Sequence, residues 1–123
     1  MATILLLGLE NDMADSLARV LREIEHDVET ADTIEAAARK LRADAIFANG
    51  DAAHYRETVR QLRSRRPDVP VVIVNRLPEN ARWLDALDLG VADYCGAPFE
   101  AIQVRWVVDS VLRRREFARP VAA

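Results

Sequence analysis

The run Val71-Val72-Ile73-Val74-Asn75 ("VVIVN", 71–75) decides how this chain is read. Four consecutive β-branched apolar residues make too short a block for a helix, and they leave no polar face for solvent. Such a run fits a central strand of a parallel sheet, covered on both sides. Pro67 and Pro70 punctuate the way into it. Parallel strands are joined by crossovers, so helical patterns should lie on either side.

They do. "TILLLGL" (3–9) and "DAIFAN" (44–49) are further apolar runs of strand length, with "DVETA" (27–31) and "VADYC" (91–95) as shorter strands. Between them, apolar residues recur at helical spacing. Met13, Leu17, Val20, Leu21 and Ile24 mark a first helix, with Asn11 or Asp12 as its N-cap. Ile34, Ala37, Ala38 and Leu41 mark a second, capped by Asp32 or Thr33, and Tyr55, Val59 and Leu62 a third. Ala81, Leu84 and Leu87 give a fourth, closed by Gly90, and Ala101, Val104, Val108 and Leu112 a fifth. Strands alternating with helices imply an α/β fold with right-handed crossovers and helices on both faces. The expectation is a flavodoxin-like, doubly wound (βα)5 three-layer sandwich with parallel strand order 2-1-3-4-5. It spans residues 1–115 as one domain, with 116–123 as a tail or linker stub in which Pro120 forbids further helix.

Composition narrows the function classes. The chain has 123 residues, is 50% hydrophobic and 30% charged, and carries a net charge of −3. That charge gives no global attraction to nucleic acid or anionic lipid, and no apolar run approaches the ~20 residues of a membrane span. The arginines Arg56, Arg60, Arg63, Arg65 and Arg66 read as a solvated helix face. A single cysteine, Cys95, forms no internal disulfide, and with no export signal a cytoplasmic address is expected. Cys95 reads as a small buried hydrophobe, and His26 and His54 as surface histidines without a metal-spaced partner.

In doubly wound folds the site lies at the carboxyl ends of the strands. Here those ends are Gly8-Leu9-Glu10, Asn49-Gly50-Asp51, Asn75-Arg76 and Gly96-Ala97-Pro98. Two readings of Asn49-Gly50 stay open: a simple turn, or an asparagine that holds a pocket by its hydrogen bonds. No Gly-rich phosphate loop follows the first strand and no nucleophile–base pair is visible, which argues against a flavin or nucleotide enzyme.

"ILLLGLENDMADSLARVLREI" (4–24), "RRPDVPVVIVN" (65–75) and "GVADYCGAPFE" (90–100) together resemble a response-regulator receiver domain, the phosphoacceptor module of two-component (phosphorelay) signalling. The resemblance runs from residue 3 to about 115. It implies a Mg²⁺ held by an acidic pair after the first strand and by an aspartate ending the third, which takes the phosphoryl group. It also implies a hydroxyl residue ending the fourth strand and a lysine before a cis-prone proline. In this sequence the acidic pair falls on Gly8 and Leu9, the acceptor on Asn49, the hydroxyl on Asn75 and the lysine on Ala97, while Glu10, Pro98 and Phe99 are kept. An amide cannot form an acyl phosphate, and glycine and leucine offer no hard oxygen ligand.

The resemblance therefore implies an atypical pseudo-receiver: not an enzyme, with Mg²⁺ binding lost or weak and no other cofactor. Its role would be protein–protein interaction or dimerisation, independent of phosphorylation. The alternative is a working phosphoacceptor with displaced acids, Asp51 and Glu10. Receivers meet partners through the face of the fourth helix, fifth strand and fifth helix. There Trp83, Trp106 and Val107 lie off the helix stripes, and Tyr94 takes the family's switch aromatic position. A protein partner or a homodimer on that face is expected, with no nucleic acid and no membrane.

Overall fold

A computed structural model describes residues 2–40, 42–76 and 88–118. The chain runs β1 (Thr3–Leu7), α1 (Asn11–Glu23), β2 (Asp27–Ala31), α2 (Ile34–Arg39), β3 (Ala45–Asn49), α3 (Tyr55–Arg65), β4 (Val71–Asn75), β5 (Asp93–Gly96) and α4 (Ala101–Ala118). The expected fourth helix, over Ala81, Leu84 and Leu87, lies outside the described residues, so α4 here is the fifth helix of the sequence pattern.

The five strands form one parallel sheet in the order β2-β1-β3-β4-β5. This is the doubly wound order expected from sequence. The period of two along each strand divides the core cleanly. Ile4, Leu6, Ala45, Phe47, Val72 and Val74 face α1 and α4, where Leu17, Leu21, Val104 and Val108 pack on them. Leu5, Leu7, Ile46, Ala48, Val71 and Ile73 face the other way, under Ala37, Tyr55, Val59 and Leu62 of α2 and α3. Every residue of β4 is buried. Emptying the centre of such a core, as in Phe47→Ala, costs about 3–5 kcal/mol.

Several local expectations change. The first strand stops at Leu7, because Gly8 turns the chain with φ +67° and donates its N–H to Ala31 O at 2.9 Å. The N-cap of α1 is Glu10 rather than Asn11 or Asp12, and its side chain makes no capping bond. Asp12 is instead drawn sideways onto Arg76. Thr33 does cap α2, accepting from Ala36 N at 3.1 Å. Gly90, placed by sequence as a helix end, has φ +82°. The last helix runs from Ala101 to Ala118.

The largest correction concerns α4. Its buried stripe is Val104, Val107, Val108 and Val111, with Leu112 only half-buried. Val107 was expected to face a partner, yet it is 4% exposed and packs in the core beside α1. A helix laid on a sheet and against a second helix buries a broad apolar face, and Val107 is needed to complete it. Cys95 is fully buried, and desolvation pushes its thiol up to about 12. His26 is half-buried: its Nδ1 accepts Ala2 N–H at 3.1 Å, and burial lowers its pKa.

Candidate functional site

The carboxyl ends of β1, β3 and β4 converge through polar groups of adjacent loops. β3 ends at Asn49 and β4 at Asn75, adjacent strands in register, with Asn49 opposite Val74. Asn49 spans two loops. Its Nδ2 donates to Gly8 O at 3.0 Å, and its Oδ1 accepts Asp51 N–H at 2.8 Å. This one side chain makes both a turn bond and a bond between loops, and neither Asn49 nor Gly50 adopts the left-handed geometry. The Oδ1 bond closes an Asx turn, and the Nδ2 bond fastens β3 to the exit of β1.

Asp51 then reaches across to β4. Its Oδ1 accepts from Asn75 Nδ2 at 3.1 Å and its Oδ2 from Arg76 N at 2.8 Å. Asn75 is buried, and its Oδ1 has no hydrogen-bond donor among the described residues. Gly50 explains how Asn75 fits. A Cβ on Gly50 would collide with Ile73 Cγ2 and would lie 2.8 Å from Asn75 Oδ1, so a glycine is required for the two strand ends to approach.

The side chain of Arg76 completes the arrangement. Its guanidinium donates to Asp12 with two parallel bonds, Nη1 to Oδ2 at 3.0 Å and Nη2 to Oδ1 at 3.1 Å, and Nη2 also reaches Glu10 Oε2 at 2.9 Å. The fork matches the planar geometry of a carboxylate. The Arg76 hydrogen bond holds the Asp12 carboxyl below its usual range, and Asp12 in turn raises Arg76. Glu10 and Asp51, the candidate displaced acids, are therefore both engaged within the chain, by different atoms of Arg76 and, for Asp51, by Asn75.

The other expected positions contribute no charge. Gly8 is exposed and Leu9 packs against the core beside α1. Ala97 precedes a cis peptide bond to Pro98 and donates its N–H to Asn75 O at 3.0 Å. A receiver's Mg²⁺ does not fit this donor set: two of its positions lack oxygen, and the remaining acids already hold cationic or amide donors. Among the described residues no three His, Cys, Asp or Glu side chains come together as a metal-ligand set. A cavity of about 470 Å³ opens alongside, between Gly8, Thr33, Asn49 and His54, at the boundary of β1 and β3 where the strand order reverses.

On the expected partner face, Trp106 is 70% exposed and Tyr94 is half-buried against the core on the α2–α3 side. Trp83 lies outside the described residues. Two further residues matter. Arg76 was available to the reading of strand ends, as a cation directly after Asn75 and opposite the acids of the first loop. Ile102 is 85% exposed, and its i, i+4 relation to Trp106 is the signal that marks it.

No family model matches the chain, and no curated protein matches it in sequence. Solved structures do match in fold. NtrX from Brucella abortus, crystallised with ADP, superposes with a TM-score of 0.83 at 23% identity, covering 100% of this chain and 31% of NtrX. The present chain thus spans about a third of that relative's length. A response regulator receiver domain protein from Clostridium thermocellum gives 0.82 at 15% identity, covering 97% and 100% of the two chains. A two-component response regulator from Clostridium difficile gives 0.77 at 24% identity, covering 93% and 98%. With its parallel 2-1-3-4-5 sheet and these neighbours, the chain has the fold of a response-regulator receiver domain.

Proposed function

We propose that this chain is a receiver-type module of two-component signalling that acts through protein contacts, without phosphorylation of its own acceptor position and without Mg²⁺. One observation carries the reading: Asn49, at the acceptor position, uses its amide at both ends to hold the pocket closed. An amide so committed is neither a nucleophile nor a charged metal ligand. The surrounding acids support it. Arg76 supplies, from within the chain, the positive charge that Glu10 and Asp12 would otherwise take from a cation.

The competing reading makes Asp51 and Glu10 a displaced phosphoacceptor pair. Asp51 accepts from Asn75 and from the Arg76 backbone, and Glu10 pairs with the Arg76 side chain. Freeing either would first break these bonds, so the closed-pocket reading is preferred. A protein partner on the face of Tyr94 and Trp106 replaces phosphorylation as the output, in the cytoplasm, with no nucleic acid or membrane contact by this domain. Trp83 remains a candidate for the same face.

The test is direct. The full chain is incubated with acetyl phosphate, or with beryllofluoride, in the presence of Mg²⁺. Unchanged mass, unchanged melting temperature and unchanged amide shifts around Asn49 and Asp51 support the proposal. Ligand at ~100 times its dissociation constant would add ~2.7 kcal/mol, an effect too large to miss. Saturable stabilisation that disappears in Asp51→Ala overturns it in favour of the displaced acids.

A further inference from the structure

The cavity beside Gly8 and Asn49 has a chemistry that the closed pocket does not use. About 470 Å³ lies between the exit of β1, the loop after β2 and the start of α3, a volume in the range of small-molecule sites. It opens at the carboxyl ends of β1 and β3, where the strand order reverses and where open α/β sheets take their ligands. Part of its wall is apolar, from Leu7, Ile34 and Ala52. Its polar groups mostly accept. Asp32, in the loop after β2, is exposed and has no hydrogen-bond or ionic partner among the described residues. The neighbouring acids differ: Glu10 and Asp12 hold the Arg76 guanidinium, and Asp51 holds Asn75 and the Arg76 N–H. Thr58 donates its hydroxyl to His54 O at 3.3 Å, which leaves its lone pairs open. Thr33 already accepts from Ala36 N, so a single O–H donor remains there. Among the described residues no lysine or arginine lines the cavity, and no tryptophan, tyrosine or phenylalanine does.

We propose that this cavity binds a small organic ammonium, its apolar body against Leu7, Ile34 and Ala52 and its N–H groups on the Asp32 carboxylate. Charge decides against an anion, because Asp32 repels it and no lysine or arginine in the lining compensates. The missing aromatic rings decide against a quaternary ammonium, which is recognised by ring faces. An ammonium that keeps its N–H groups gains a charge-assisted hydrogen bond that a neutral alcohol of the same shape lacks. His54 and Thr58 add polar contacts from the start of α3.

The site goes beyond the protein-contact reading by giving the module a chemical input of its own. Gly8 and Asn49 both line the cavity, and they are joined by the hydrogen bond that fastens β3 to the exit of β1. A ligand seated here meets the same two residues that close the acceptor position. Its binding stabilises that closed arrangement by mass action.

Amide NMR titration of the full chain tests this, with phenethylamine, phenethyl alcohol, trimethyl(phenethyl)ammonium and hydrocinnamate as probes. Phenethylamine should move the signals of Gly8, Ile34, Asn49 and Thr58 along one saturable curve. The alcohol and the trimethylated ion should bind more weakly by roughly tenfold or more, the loss expected when a hydrogen bond to a charged group is removed. Hydrocinnamate should not bind. Asp32→Asn, at an exposed position, should keep the wild-type melting curve and reduce the amine to the affinity of the alcohol. Ala52→Trp, which fills the cavity, should abolish binding of both; if that variant unfolds, the Asp32→Asn comparison still decides. Shifts that never saturate, equal binding of amine and alcohol, or an amine affinity untouched by Asp32→Asn each overturn the proposal. The acetyl phosphate experiment uses a different ligand and a different acid, Asp51, so either reading can fail while the other stands.

Discussion

Arg76 and Asp12 meet through two parallel hydrogen bonds, at 3.0 and 3.1 Å, although 64 residues of chain separate them. The pair ties the first residue after β4 to the opening turn of α1. With Glu10 on the same guanidinium and Asp51 on the Arg76 backbone, one residue organises three acidic side chains, two from loops and one from the first turn of α1.

Replacing Arg76 by methionine keeps the stem and removes that cation. The Asp12 carboxyl, held low by its Arg76 hydrogen bond, should then titrate higher. The sign follows from linkage: a depressed carboxyl pKa adds stability above the unfolded value near 3.8, and that contribution is lost as pH falls through the folded value. The wild type should therefore lose stability in this acid range more steeply than Arg76→Met. Carboxyl-carbon NMR titration of Asp12 in both proteins checks the cause. Identical titration curves would show that the fork is absent in solution.

Gly50→Ala should be destabilising by about 1–3 kcal/mol, the usual range for overpacking a filled site. Backbone conformation is not the reason, since the added Cβ strikes Ile73 Cγ2 and the Asn75 amide. Urea unfolding measures the loss. Combining Gly50→Ala with Asn75→Ala removes part of the clash, so the double variant should be less destabilised than the sum of the two single changes. Additive effects would place the strain elsewhere.

His26 should make the fold sensitive to mildly acidic pH. Its Nδ1 accepts Ala2 N–H, a bond that protonation abolishes, and desolvation lowers its pKa below 6.5. Asp27 and Asp109 favour the charged ring, while Arg105 and the N-terminal amine oppose it. A histidine with a lowered folded pKa stabilises the fold above its unfolded pKa, and the benefit declines as pH falls through the folded value. Melting temperatures between pH 8 and pH 5 should fall further for the wild type than for His26→Asn, whose side chain can still accept the bond without titrating. Parallel pH profiles would count against the role of His26.

The alternation of β-branched strands and helical stripes was enough to read the sheet order, because strands buried on both faces leave continuous apolar runs and each crossover leaves a period of 3.6. The positions of Asn49, Asn75 and Ala97 at strand ends were equally legible. What the sequence could not convey was which side chains would meet across loops. Nothing in the spacing of Asp12 and Arg76 announces their fork, and Asp12 next to a helix start looks like a cap. The misplacement of Val107 has a similar origin. Its stripe depends on how far α4 is rotated toward α1, and rotation is set by tertiary packing.

Asn49→Asp is the most informative single change at the site, because it supplies the missing carboxylate while removing a donor. The Asp51 N–H bond survives, since a carboxylate oxygen accepts as an amide oxygen does. The bond to Gly8 O does not survive, and an anionic oxygen is left facing a carbonyl oxygen. The loss should be about 0.5–1.5 kcal/mol at neutral pH, the net worth of one hydrogen bond, because this bond is exposed and water can take over its acceptor. Protonating the new aspartate restores a donor toward Gly8 O, so its folded pKa should lie above the ordinary value near 3.9. The deficit should thus be full above that raised pKa, shrink as pH falls from it toward the unfolded value, and be gone below the unfolded value. Phosphorylation should still fail: Gly8, Leu9 and Ala97 provide neither a metal nor a cation to screen the approach of an anionic phosphoryl donor to a carboxylate. Acetyl phosphate with Mg²⁺, followed by intact-mass analysis, checks the chemistry, and denaturant midpoints from pH 7 to pH 4 check the energetics. A stoichiometric phosphoryl adduct on the variant would mean that the pocket keeps a working cation site; a deficit that grows toward low pH would mean that Asn49 does not donate to Gly8.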